Sequence, residues 1–373
     1  MTLSDEDWIK AEYLRRFGRI IDFNDPVFFT EKLQIYKLEY RKELLTTLSD
    51  KSLVREYVSK CIGEEYLIPL IGCYESVDEI PIDDLPHKFI IKATHGSNWN
   101  LLCENKSSFD WDLAGSRING WLNTNYYYLL REWCYKNIHP RIVIESILED
   151  ENSAIPADYK IFCFNGEPKL IQVVMDRFEN QTNTFFDLNW KKLPFKYNYP
   201  NYALPIPSPD NLSLILNLAK KLSEGIPFVR VDMYSLRSKI FFGEMTFYPA
   251  GGFGVYEPAF WDEIMGDWFD LSSFRPRSPH LGDRLRGLDY FLDQYNILID
   301  QDEKIIRVLK TQLTLNEKAL DEINRQLSEI EDSGAWRIIL FFRRLRLLVA
   351  PHETYREKAW YFLLGILRKI IDG

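Results

Sequence analysis

Three charged residues stand on two short apolar runs. Arg230 and Asp232 lie in Phe228–Tyr234, and Glu244 lies in Lys239–Met245. Both runs alternate apolar with polar residues, the pattern of two half-buried strands joined by a polar connection around Ser235–Ser238. A buried carboxylate needs a partner, and two adjacent carboxylates repel unless a cation lies between them. Two arrangements satisfy that requirement. One is a structural Arg–Asp pair in a hairpin. The other is an all-oxygen site for a hard cation such as Mg²⁺, shared with substrate phosphates. Either way, neutralising one carboxylate relieves repulsion, so the fold is expected to survive Asp232→Asn or Glu244→Gln. A second cationic position is Lys92, inside the apolar run Lys88–Ala93, where it has no obvious structural task. The loop after it, Thr94-His-Gly-Ser-Asn-Trp-Asn100, is small and polar, suited to presenting backbone N–H groups to phosphate. It carries one glycine and no GxxxxGK[ST] phrase, so it is not a P-loop. Lys160 alternates outward from Ile161 in Asp158–Phe164 and is a further cation for a cleft.

The elements that must hold these residues follow from spacing. Helices are expected at Ser4–Phe17, with Ser4 as cap, and at Phe28–Leu44, with Thr30 as cap. Asp50–Tyr57 is a third helix and carries Lys51 and Arg55. Leu67–Cys73, interrupted by proline, reads as an edge strand. Asp110–Asn123 reads as a helix, and Asn125–Tyr135 is aromatic-rich. Arg141–Leu148 reads as a strand ending in a hinge, and Asn165-Gly166 turns Asp158–Phe164 into Lys169–Val174. Another strand starts at Phe185–Asp187, and Asn211–Leu222 has its apolar residues at helical spacing.

Composition sets limits. The chain has 373 residues, 46 % apolar and 27 % charged, enough for two or three subdomains. A net charge of −9 gives no sign of nucleic-acid binding. Five scattered cysteines form no CxxC pair, which fits a reducing cytoplasm and argues against disulfides or zinc. The charged start, MTLSDEDWIKAEYLRRFG, does not read as a signal peptide, and no run of 18 apolar residues is present.

Several phrases together resemble the TupA-like ATP-grasp family of bacterial surface-polysaccharide loci. They are TEKLQIYKL, DKSLVREY, EWCYK, DYKIFCFNGEP, FFDLNW, and FVRVD followed by FGEMTF and a proline–glycine loop. The resemblance runs from about Asp25 to Leu271. It implies an α+β, ATP-grasp fold in which two lobes hold ATP. The expected layout is a preceding region 1–87, a central lobe 88–140 and a C-terminal lobe 141–271. By the same resemblance Lys92, His95, Gly96, Ser97, Glu145 and Lys160 contact ATP, with Glu145 at the hinge. Asp232, Glu244 and Thr246 hold Mg²⁺, Arg230 acts in the transition state with Lys92, and Arg177 and Lys51 meet substrate. Thr246 departs from the usual Glu-x-Asn ending, which implies a looser second metal position. The implied activity is ATP-dependent ligation of a carboxylate acceptor to an amine donor through an acyl phosphate. It would attach an amino acid or peptide to a surface polysaccharide, with a hexuronic acid as the carboxylate. The alternatives are a glycosyltransferase, for which no convincing DxD strand end is present, and a non-catalytic scaffold of a membrane-bound assembly complex.

Beyond Leu271 the composition changes. Residues 272–301 read as a linker. Residues 302–333 read as one long helix with a heptad at Ile306, Leu309, Leu313, Asn316, Leu320, Ile323, Leu327 and Ile330, a seam for self-association. Residues 335–373 hold eight Lys/Arg against three Asp/Glu, net +5, leaving −14 on the rest. This aromatic, basic tail reads either as an anchor on the inner face of the plasma membrane or as a hairpin docked on the enzyme.

Overall fold

The computed structural model describes residues 3–149, 156–175, 181–236 and 239–275, and Arg325 beyond them. The chain divides into units 1–283 and 284–373, and the elements below belong to the first. Arg177, the linker past Arg275, the tail 335–373 and the long helix 302–333, apart from a helical Arg325, lie outside the described residues. No helix among the described residues is long and apolar enough to cross a membrane.

Helix α1, Asp5–Phe17, starts as its sequence requires: the Ser4 hydroxyl accepts the Asp7 N–H at 3.1 Å. The helix expected over Phe28–Leu44 is instead two, α2 at Phe29–Glu39 and α3 at Glu43–Ser49. The chain leaves helical geometry at Tyr40, whose ring packs on Tyr36 and Phe274 at 5.1 Å from each. Thr30 is not the cap. Glu31 reaches back to accept the N–H groups of Val27 and Phe28, at 2.8 and 3.1 Å. The helix expected from Asp50 begins later, as α4 at Val54–Cys61, because the Asp50 carboxylate accepts from Ser52 and Leu53 and holds a turn before it.

The smaller sheet comprises β1 Leu70–Tyr74, β2 Phe89–Ala93 and β3 Asn100–Cys103, followed in the chain by α5 Trp111–Leu122, α6 Tyr127–Leu130 and β4 Ile142–Glu145. Its order is β1-β4-β2-β3, all antiparallel. The sheet therefore crosses both expected boundaries, at 88 and at 141. The reason is the fully apolar IVI of β4, which is buried throughout and needs a strand on each side. Phe89, Ile91, Ile142 and Ile144 pack with Ile118 and Trp121 of α5.

The larger sheet follows: β5 Asp158–Phe164, β6 Glu167–Met175, β7 Thr182–Phe186, then the short β8 Lys196–Tyr197, helix α7 Leu212–Leu222, β9 Phe228–Leu236 and β10 Lys239–Thr246. The sheet order is β10-β9-β5-β6-β7. A two-residue strand, β11 Tyr256–Glu257, pairs with β8, and α8 Phe260–Trp268 ends this part. Helix α7 buries Ile215, Leu218, Ala219 and Leu222, each large side chain contributing about 1.5–3 kcal/mol. Helix α2 is locked to α8. Asp262 accepts the Thr30 N–H at 2.9 Å and its hydroxyl at 2.6 Å, and the Lys32 ammonium donates to the Gly266 carbonyl at 2.6 Å. Gly266 must be glycine here, since a Cβ would stand 2.1 Å from the Val27 carbonyl oxygen.

Candidate functional site

Register builds one wall of the site. Lys160 of β5 lies opposite Asp232 of β9, and Asp232 lies opposite Glu244 of β10, so one row crosses three strands. Arg230 and Thr246 form the next rung. On β9 the other face carries Val229, Val231 and Met233, all fully buried, which leaves Arg230 and Asp232 for the cavity side. A β-bulge at Gly243 skips one residue of register and brings Glu244 onto the Asp232 face. A Cβ on Gly243 would stand 3.1 Å from the Asp232 carbonyl oxygen.

These charges are already partnered. Arg230 donates to both Asp232 oxygens, at 2.6 and 2.7 Å, and to Glu244 at 3.2 Å and Thr246 at 3.0 Å. Lys160 donates to Asp232 and lies 2.5 Å from Asp158. Burial works against the Arg230 charge, but Asp232 and Glu244 outweigh it and hold the guanidinium above its ordinary value. The Thr246 hydroxyl donates to Glu244 at 3.2 Å.

The opposite wall comes from the smaller sheet and the turn before α4. Lys92 donates to Glu145 at 2.7 Å, and Arg55 donates to the other Glu145 oxygen at 3.0 Å. Glu145, expected at the hinge, is thus a buried anchor for two cations. Lys51 donates from its side chain to the Gly96 carbonyl at 2.5 Å and from its backbone to Thr94 at 3.3 Å, tying the 94–100 loop to the N-terminal helices. Burial and the Lys92 charge pull the Lys51 ammonium below its ordinary value, while Glu244 and Glu145 oppose them. Asn98 takes a left-handed φ of 59° at the tip of that loop. His95 does not face the cavity. It is 2 % exposed, its Nε2 bonds the Trp121 carbonyl at 2.8 Å, and burial lowers its pKa, so it is a neutral clamp inside the loop.

Between the walls is a cavity of about 460 Å³. Its lining includes the apolar side chains of Ile68, Ile90, Leu102, Leu148, Val174 and Met175. The same cavity is lined by Lys51, Lys92 and the Ser97–Asn100 loop, and by Asp158, Asp232 and Glu244. Apolar lining that includes the 146–148 segment suits a flat heterocycle, and the two lysines suit phosphates. The donor chemistry also fits a hard cation, because the acidic side is all oxygen. Among the described residues, however, no group of three or more His, Cys, Asp or Glu side chains is gathered as a ready-made metal site. Such a cation would need phosphate oxygens to complete its shell.

Asp158, which sequence reasoning passed over, lines the cavity and binds Lys160. Its i, i+2 spacing from Lys160 was the available signal. A second cluster also went unseen. Lys37, fully buried, donates to the side-chain oxygen of Gln34 and the carbonyl of Leu130, each at 2.9 Å, and to the carbonyl of Gly251. It thereby joins α2 to two turns that contain left-handed residues, Arg131 (φ 55°) and Ala250 (φ 49°). Buried Glu132 faces Lys37; burial pulls the ammonium down and the carboxyl up, while three carbonyl acceptors favour the ammonium form.

A family model described as TupA-like ATPgrasp matches residues 31–270. No curated protein matches. Among solved structures, the chain is similar to D-alanine–D-alanine ligase from Bacillus anthracis complexed with ATP: 12 % identity, 54 % of this chain and 55 % of that one, TM-score 0.32. It is also similar to the ADP complex of N5-carboxyaminoimidazole ribonucleotide synthetase, with 10 % identity over 66 % and 58 % and a TM-score of 0.37. Phosphoribosylamine–glycine ligase from Thermotoga maritima matches at 13 % over 54 % and 48 %, TM-score 0.34. The chain spans about half the length of these structures.

Proposed function

Since the chain belongs to the TupA-like ATP-grasp family, we propose that it is an ATP-dependent carboxylate–amine ligase acting in the cavity between its two sheets. The observation that carries this reading is the cavity itself, which brings apolar side chains together with two lysines, a polar loop and the carboxylates Asp158, Asp232 and Glu244. Adenine lies against the apolar side chains. Lys92, Lys51 and the loop from Ser97 hold the phosphates, with Gly96 setting the loop's close approach. Lys160 turns from Asp232 towards the transferred phosphoryl group. Asp232 and Glu244, with Asp158 behind, hold Mg²⁺, which supplies charge neutralisation on the phosphates when bound. The Thr246 hydroxyl orients Glu244 and Arg230 and is at most a weak metal ligand.

A carboxylate oxygen of the acceptor attacks the γ-phosphorus, and the bond to the β–γ bridging oxygen breaks to release ADP. Arg230, fixed by two bonds to Asp232, stabilises the charge that develops on the transferred oxygens. The amine then attacks the acyl carbon, inorganic phosphate leaves, and the nitrogen loses a proton. Holding both reactants supplies much of the remaining acceleration. The acceptor is a hexuronic acid of a surface polysaccharide or its precursor and the donor an amino acid or peptide, as the family's setting suggests. The basic tail 335–373 brings the enzyme to the inner face of the plasma membrane, and the heptad of 302–333 pairs two copies.

Calorimetric titration tests the reading. Mg·ATP should bind with one site per chain, and ADP release should require a uronic acid together with an amino-acid mixture. Binding of a nucleotide sugar in place of ATP would overturn it in favour of glycosyl transfer.

A further inference from the structure

Asp232 has no vacant oxygen. Arg230 occupies one edge of the carboxylate with two bonds, and the Lys160 ammonium sits between Asp232 and Asp158. All three of Lys160, Asp158 and Asp232 are inaccessible, with side chains 10 %, 4 % and 2 % exposed. Register fixes this arrangement, because Lys160 and Asp232 are direct cross-strand partners and Asp158 shares the Lys160 face. Two cations therefore face three carboxylates, Asp158, Asp232 and Glu244, before any ligand arrives.

We propose that Lys160 is a built-in counter-cation that keeps divalent metal out until nucleotide phosphates draw its ammonium away. The inference rests on the metal and nucleotide roles given above. An ammonium and a divalent ion compete for the same carboxylate oxygens, and the compact, mobile Lys head on its four-carbon stem can swing where the twice-bonded Arg230 cannot. Phosphate oxygens bound in the cavity would give Lys160 an alternative anion, and the same oxygens would complete the metal's shell. Binding order follows: nucleotide with metal, never metal first. Lys160 is thus a positioning residue for metal entry as well as a phosphate contact.

The test uses the full chain and Mn²⁺, whose free six-line electron paramagnetic resonance signal disappears on binding. The parent should take up no Mn²⁺ alone at millimolar concentration and about one per chain when a non-hydrolysable ATP analogue is added. Lys160→Met and Lys160→Gln should bind one Mn²⁺ without nucleotide, tightened at least about tenfold over the parent by loss of the competing charge. Lys160→Arg should exclude Mn²⁺ alone as the parent does, and Lys160→Met with Asp232→Asn should lose the gain. If Lys160→Met melts early, its melting temperature should be restored by Mn²⁺ and not by K⁺. Equal Mn²⁺ affinity in parent and Lys160→Met, with the analogue still bringing metal to both, overturns the counter-cation and leaves the ligase site standing. Gain of Mn²⁺ by Lys160→Met without any analogue-dependent uptake in the parent supports the counter-cation and removes the nucleotide site.

Discussion

Asp232→Asn and Glu244→Gln remove the same charge from the same sheet, yet their effects on stability should differ several-fold. The Asp232 side chain is 2 % exposed, receives two bonds from Arg230 and one from Lys160, and neutralises two cations that have little access to water. An asparagine there turns an amide N–H₂ towards a guanidinium and an ammonium. Breaking a buried ion pair from one side costs about 3–5 kcal/mol. For a domain of this size that is a melting temperature lower by roughly 6–20 °C. The Glu244 side chain is 33 % exposed and lies 3.2 Å from Arg230, so its loss should stay within about 1 kcal/mol. The expectation from sequence was that either change would spare the fold by relieving repulsion. That expectation fails for Asp232, because the cation between the carboxylates is supplied by the chain itself. The assay is equilibrium denaturation by urea in low salt without nucleotide, comparing midpoints at unchanged slope. If Asp232→Asn is no less stable than Glu244→Gln, the internal pairing does not hold the sheet and the reasoning is wrong.

Three further outcomes follow from the geometry. Burial pushes the Asp262 carboxyl up to about 6, with the Thr30 bonds and Arg19 pulling it back. A folded value above the unfolded one stabilises fully below about pH 3.8 and is lost as pH rises through about 6, by about 3 kcal/mol in total. Asp262→Asn should remove this slope, so parent stability minus variant stability should fall by that amount between pH 3 and 7; a flat difference would sink the assignment. Lys92→Met leaves Glu145 its bond to Arg55, so the fold should hold while calorimetry shows Mg·ATP affinity reduced about ten- to a hundredfold; unchanged affinity would place the phosphates elsewhere. Deleting 335–373 should abolish flotation with phosphatidylglycerol vesicles while ATP binding persists, and equal flotation would move the membrane contact to another part of the chain.

Local pattern carried much of this structure. Alternation in Phe228–Tyr234 marked β9 and told which residues share a face; the Ser4 cap and the spacing in α7 placed two helices within a residue or two, and the helix read over Asp110–Asn123 runs over Trp111–Leu122. What alternation cannot carry is register between distant segments. Lys160 and Asp232 are 72 positions apart, and only the β5–β9 pairing makes them partners. The bulge at Gly243 is likewise a matter of how two strands meet, and without it Glu244 would turn away from Asp232. Glu145 was visible as a carboxylate on an apolar strand, but its task needed Lys92 and Arg55 to be brought to it by β2 and the helix α4. His95 shows the converse: the family resemblance suggested a ligand contact, and the bond to the Trp121 carbonyl together with the Trp99 ring made it a clamp. At the charged residues, sequence and structure part because the charges expected to meet a ligand are first paired with one another. That pairing lets a row of ions stand buried in the sheet, since an isolated charge at such depth would cost far more than the fold could bear. Under the proposed function, a polyanion with its cation would exchange partners with Lys160, Lys92 and Lys51 rather than meet bare charges, and the atoms that stabilise the sheet would then also select what can enter it.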